Sequence, residues 1–216
     1  MNIKSLKEDA RRWGWARSIF MRVMRRLQKH LGIEIYSVRI RPLEANPPDP
    51  NLPSGFSLRI LDRATLLAAS EDPELDMFWA FVESALAHGG VAFGAFDGTT
   101  LVAYMWRTLS VAPHLDGVWV KVDRPYRYGY KAFTRPKYRG RHINAAVSFF
   151  SDAYFLERGY TKDIGLIDVS NLSSLETAKY KGNTSIGFAG YVKWFGRCFT
   201  FRTPAVRRTG VELFLR

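Results

Sequence analysis

Residues 128–169 constrain this chain more than any other stretch. Tyr128–Thr134 reads as a strand, residues 135–142 turn through Pro136 and Gly140, Ile143–Leu156 is apolar enough for a packed helix ending before Gly159, and Ile164–Val169 is a second strand. A strand–helix–strand unit buries its apolar surface only against a sheet layer, which points to an α/β chain. The elements around it agree. Phe56–Leu61 is strand-like, Asp62 is placed to cap a helix beginning near Arg63, and Asp72-Pro73 opens a helix predicted to run to Ala87 before Gly89-Gly90. Val91–Phe96 and Leu101–Thr108 form a hairpin around Asp97-Gly98, and Gly117–Asp123 is a further strand. After the unit come Ser170 or Asn171 as a cap, a helix over Leu172–Tyr180 closed by Gly182, and strands at Phe188–Trp194 and Arg197–Phe201. The expected fold is α/β with a mixed α+β sheet, an antiparallel meander leading into the strand–helix–strand unit.

The prolines of residues 42–53 remove backbone donors and restrict their neighbours, so this stretch reads as a linker. It divides the chain into a basic extension at 1–41, the linker at 42–53, a domain at 54–201 and a basic tail at 202–216. Within the extension, Trp13, Ala16, Phe20, Val23, Met24, Leu27 and Leu31 recur at helical spacing, with arginines over much of the remainder. Such a helix either packs its apolar stripe on the domain, lies in the plane of a membrane, or docks on an acidic partner.

The net charge of +12 is unevenly distributed. Residues 1–41 carry eleven Lys or Arg against three acids, and residues 197–216 five against one. The intervening residues balance, but 121–141 hold eight basic groups against Asp123 alone, while 42–120 hold three against ten acids. That polarity argues against general nucleic-acid binding and for an anionic ligand met by one stretch of the fold. The lone Cys198 permits no internal disulfide, and there is no cluster of histidines and cysteines for a metal. With no membrane-spanning run and no secretory apolar segment, the expected location is cytoplasmic, or peripheral on the inner face of a membrane.

The segment Phe133–Ala146, FTRPKYRGRHINAA, places free backbone N–H groups at a helix start beside Lys137, Arg139 and Arg141, which suits a pyrophosphate. Here the sequence resembles the GCN5-related N-acetyltransferase superfamily, whose acyl-coenzyme A site has a strand, an Arg/Gln-x-x-Gly-x-Gly/Ala turn and a helix. Arg139 and Gly140 suit that turn, and Asn171-Leu-Ser-Ser174 followed by Lys179-Tyr-Lys-Gly182 resembles the family's later Asn-x-x-Ser/Ala helix. The likeness spans about residues 55–201. His142 and Asn144 stand where small residues are usual, and Ala178 stands near the place of the family's general-acid tyrosine.

The resemblance implies an N-acyltransferase passing an acyl group, most commonly acetyl, from acetyl-CoA or another acyl-CoA to a primary amine without a covalent acyl-enzyme or a metal. It implies a cofactor site from Phe133, Lys137, Arg139, Gly140, Arg141, His142, Ile143, Asn144, Asn171 and Ser174. A backbone N–H near Phe133 would serve the thioester oxygen. Candidate proton carriers are Asp123, isolated among basic residues, then His142 and His114, whose ordinary pKa suits the task, and Tyr180, two residues beyond Ala178. Asn171 and Ser174 serve equally as helix caps. Three other accounts stay open: an acyl carrier protein as donor, attracted to residues 1–41; an anionic membrane surface engaged by the same segment; and a catalytically degenerate RNA- or protein-binding module.

Overall fold

A computed structural model describes residues 3–47, 52–114, 117–195 and 197–215. The first residues form two helices, α1 (Ile3–Trp13) and α2 (Trp15–Leu31), separated at Gly14, whose φ of 83° breaks the continuous helix expected from Asp9 to Leu31. Gly32, also left-handed at φ 58°, ends α2 and turns the chain into β1 (Ile33–Pro42).

The expectation that residues 1–41 stand outside the domain is therefore corrected: β1 pairs with strands from the far end of the chain. The following elements are β2 (Phe56–Ile60), α3 (Arg63–Ser70), α4 (Trp79–Ala87), β3 (Val91–Asp97), β4 (Thr100–Thr108), β5 (Val111–Pro113), β6 (Val118–Lys121) and β7 (Tyr126–Thr134). Then come α5 (Ile143–Leu156), β8 (Lys162–Asp168), α6 (Leu172–Tyr180), β9 (Thr184–Trp194), β10 (Arg197–Arg202), α7 (Pro204–Arg207) and β11 (Glu212–Leu215). The large sheet runs β10-β9-β1-β8-β7-β4-β3-β2, so β1 lies between β8 and β9, antiparallel to both. Alternation explains its place: Tyr36 and Val38 face one core, while Arg39 and Arg41 face the other side.

Two further expectations change. The helix predicted from Asp72 to Ala87 is a single 3₁₀ turn at Pro73–Leu75 followed by α4, because Asp76 takes a left-handed φ of 46°. The basic tail is folded: β11 joins β6 and β5 in a small second sheet, burying Leu213 with Val118 and Val120. Asp62 caps α3 as read from the sequence, its carboxylate accepting the Thr65 N–H at 2.8 Å.

One face of the large sheet packs against α3, α4 and the small sheet, through Tyr104, Trp106, Tyr128 and Val120 among others. The other is covered by α5, which lays Ile143, Val147 and Phe155 on Phe93, Val102, Ala103 and Met105. Farther along the sheet, the same helix presents Ser148, Ser151 and Asp152, all fully buried, to arginines from β1 and β7.

A candidate active-site cleft between two diverging strands

Strands β7 and β8 are the parallel pair of the large sheet, and they pair only from Tyr126–Lys162 to Gly129–Gly165. Beyond Gly129, β7 stays with β4 as far as Thr134, while β8 stays with β1 as far as Asp168. The sheet thus splits into a wedge. A β-bulge helps direct it: Met105 faces Ala132 and Trp106 faces Tyr130, leaving Lys131 as the extra residue at φ 35°. The Lys131 ammonium sits 3.2 Å from Asp76 and over the Phe81 ring.

The phase of the β4–β7 ladder assigns the free backbone groups. Arg135 donates its N–H to the Val102 carbonyl at 2.9 Å. Alternation along an antiparallel pair then turns Phe133 toward β4 and Ala132 and Thr134 toward the wedge. The Thr134 carbonyl accepts Arg139 Nε at 3.0 Å on that side. The backbone groups that face the wedge are those of Ala132 and Thr134, on either side of Phe133, near which a backbone N–H is expected to serve the thioester oxygen. The Phe133 ring itself lines the cleft and stacks on Tyr104.

The wedge opens into a cleft of about 990 Å³ bounded by β7, β8, the start of α5 and α6. At its mouth, Gly140 and His142 both take left-handed φ, 79° and 56°, which reverses the chain into α5. The His142 carbonyl accepts the N–H groups of Ala145 and Ala146, while those from Gly140 to Asn144 donate to no acceptor among the described residues. Arg139, Gly140, His142, Ile143, Asn144, Asn171, Ser174 and Tyr180 line the cleft.

Not every expected residue does. Lys137 and Arg141 turn instead over the Tyr138 ring, because its buried face offers a cation–π seat. The Asn171 side chain accepts the Ser174 N–H at 3.1 Å, so its oxygen is engaged in capping α6. Asp123 lies before β7, at the opposite end of that strand from the wedge, mostly exposed and 3.8 Å from Lys121. It is not part of the cleft. His114 is half-buried away from it, 3.1 Å from the Tyr128 hydroxyl and edge-on to Tyr36, and loss of hydration pushes its pKa down to about 4. His142 and Tyr180, separated in sequence, stack face to face with centroids 3.9 Å apart.

Under the wedge lies a charged layer that sequence reading missed. Asp152 accepts two bonds from Arg41, at 2.7 and 2.8 Å, one from Arg127 and one from the Glu44 N–H at 3.0 Å. Arg127 also reaches Asp163 at 3.1 Å, and Arg107 donates to Ser148 at 2.9 Å. Burial alone would raise the Asp163 carboxyl, but Arg107, Arg127 and Arg41 together outweigh it and hold it well below the ordinary carboxylate range. Arg107, pushed down to about 10 by burial, lines the cleft floor with Lys181, Arg39 and Asn183. Loss of hydration, reinforced by Arg107, pushes half-buried Lys181 down to about 7. Arg107 Nε and Asn183 Nδ2 are buried without a partner among the described residues. The available signal was positional: Arg107 is a lone charge closing the apolar run Leu101–Trp106.

No family model matches the sequence, and no curated protein matches it. Solved structures do match the fold. A crystal structure of a Drosophila protein aligns with a TM-score of 0.53 and 13% identity, over 82% of this chain and 56% of that one. A GCN5-related N-acetyltransferase from Sphaerobacter thermophilus aligns with a TM-score of 0.52 and 17% identity, over 79% of this chain and 54% of that one. This chain has the GCN5-related N-acetyltransferase fold.

The chain spans about half the length of both structures. Within this acetyltransferase fold, the cleft wall at Ala178 is a buried methyl group, and the phenol of the last turn of α6 is carried by exposed Tyr180. The resemblance read from the 133–146 and 171–182 motifs and the match of the whole fold rest on separate observations and agree.

Proposed function

We propose that this chain transfers an acyl group, acetyl being the first candidate, from acyl-coenzyme A to a primary amine. The observation that carries the proposal is the wedge itself: backbone groups of β7 that pair with no neighbouring strand run toward a helix start whose N–H groups have no acceptor among the described residues. A linear donor with amides along its length and phosphates at one end fits that order of groups. The N–H groups from Gly140 to Asn144 would hold the phosphates at the positive end of the α5 dipole, with Arg139 beside them. Ala132 and Thr134 would pair with the amide-bearing arm as an added strand does, fixing the thioester in register. Buried Arg107 and Asn183, with donors unspent, suit a polar group on the cleft floor.

The donor supplies an activated thioester carbonyl. The amine nitrogen forms a bond to that carbon, the carbon–sulfur bond breaks, the amine proton passes to a base, and the thiolate takes up a proton. Lys181, on the cleft floor and largely neutral above about pH 7, is the base of this reading. Tyr180, steadied by the His142 ring, offers its hydroxyl to the thiolate at the rim. Backbone N–H groups beyond the bulge stabilise the developing oxyanion.

Calorimetry with coenzyme A, acetyl-coenzyme A and longer acyl derivatives tests the reading without knowledge of the acceptor. Micromolar to millimolar binding of at least one is expected, and folded protein that binds none refutes it. A carrier-protein donor is favoured by one observation, the basic excess of residues 1–41, whose Arg12 lines the cleft. Turnover with an acylated carrier but not with acyl-coenzyme A would select it. The same silence toward both donors, with specific RNA or protein binding, would assign the fold a non-catalytic role.

A further inference from the structure

Helix α2 faces the wrong way for a packing helix. It meets the body through Ser18, Met21 and Met24, and through Gln28, which donates to Asp168 at 2.6 Å. Of the apolar stripe read from the sequence, Met24 is buried, while Phe20, Val23 and Leu31 point out together with Trp15 and Ile19, which lie outside that stripe. Trp15 is 58% exposed, Ile19 53%, and Phe20, Val23 and Leu31 each nearly half exposed. At its far end, the Gly32 carbonyl accepts the Lys193 N–H at 2.9 Å, which brings the β9–β10 connection alongside. There Trp194 is 58% exposed and Phe195 90%, and both share a depression with Leu31. Two elements remote in sequence thus extend one apolar surface.

Its surroundings are basic. Residues 15–31 hold Arg17, Arg22, Arg25, Arg26 and Lys29 and no acidic residue, and Lys193 and Arg197 flank the β9–β10 connection. We propose that this face docks in the interfacial layer of an anionic phospholipid bilayer, with α2 in the membrane plane and Trp194 and Phe195 inserted beside it. Exposed aromatic and aliphatic side chains framed by arginine and lysine match the acyl–headgroup boundary of such a bilayer, the apolar groups entering it and the cations meeting phosphates. A second copy of the chain is a poor occupant, because it would set the same basic rim against itself. Lying flat rather than crossing is required, since no described helix is long and apolar enough to span a membrane. Arg12 and Trp13, just before α2, line the cleft, so docking would set the cleft mouth near the lipid surface. The inference does not depend on acyl transfer.

The test is sedimentation of the full chain with vesicles of phosphatidylcholine alone or with phosphatidylglycerol, followed also by tryptophan emission. The expected result is binding to the anionic vesicles with a blue shift, weakened by salt, and reduced about fivefold for each of Arg25 and Lys29 changed to Gln. Ile19→Glu with Val23→Glu, and separately Trp194→Ser with Phe195→Ser, should each cut partitioning at least about tenfold. These side chains are exposed, so unchanged melting temperatures serve as the folding control. Binding to neither vesicle, or equal binding by parent and variants, overturns the proposal. So does a light-scattering dimer, or capture by an acidic carrier protein, that the same variants abolish in chain that ignores vesicles.

Discussion

Changing Asp152 to Asn removes one negative charge from a site where the side chain has no exposed surface. Its carboxylate accepts four hydrogen bonds, two from Arg41, one from Arg127 and one from the Glu44 N–H. The amide in either orientation sets an NH₂ group against donors that cannot turn away, and three buried arginines are left with Asp163 alone. Removing one partner of a buried ion pair costs about 3–5 kcal/mol. At about 2–4 °C per kcal/mol for a chain of this size, the melting temperature should fall by about 6–20 °C. Scanning calorimetry at neutral pH measures it, with Asp123→Asn as the exposed control. A fall of under about 2 °C with the fold retained would show that the arginines are neutralised otherwise and refute the account of this layer.

The two glycines at the point where β7 and β8 part should respond differently. A Cβ at Gly129 would lie 1.8 Å from Arg107 Nη1, so Gly129→Ala should cost about 1–3 kcal/mol in urea unfolding, whereas Gly165→Ala, with nothing within 4 Å, should change little. Asp163, held below its unfolded value, contributes stability that is present above about pH 4 and lost as pH falls further. The parent melting temperature should therefore drop more steeply on acidification than that of Asp163→Asn. If Lys181 is the base, kcat rises through about pH 7 as it loses its proton. Lys181→Met should then lower kcat by about 10²–10⁴-fold and remove that rise, while an unchanged profile would exclude the role.

Most of the order of elements was legible from residue 56 to residue 202 because most carry their own signal: Asp62 before an apolar-periodic helix, Asp97-Gly98 between alternating strands, Pro136 and Gly140 at the helix entry; the break at Asp76 and the short β5 carried none. The cleft mouth was legible for the same reason, since Gly140 and His142 form a local turn. What escaped were contacts across the chain. Asp123 looked distinctive by its neighbours in sequence, yet strand direction carries it away from the cleft. The pairing of His142 with Tyr180 and of Arg41 with Asp152 joins residues whose spacing carries no periodic signal.

Local patterning by itself determined N-terminal helical structure, a mixed α/β sheet and a turn at residues 135–142 that leads into a helix, because propensity, capping and charge act over a few residues. Only the tertiary structure decided that Ile33–Pro42 enters the sheet between β8 and β9, that α2 leaves Phe20, Val23 and Leu31 exposed, and that lone charges on four strands and on α5 converge beneath the cleft. Those outcomes depend on which surfaces compete for the same buried space. A strand edge left open by β8 is filled by whichever extended segment pairs best, and that choice is made in three dimensions.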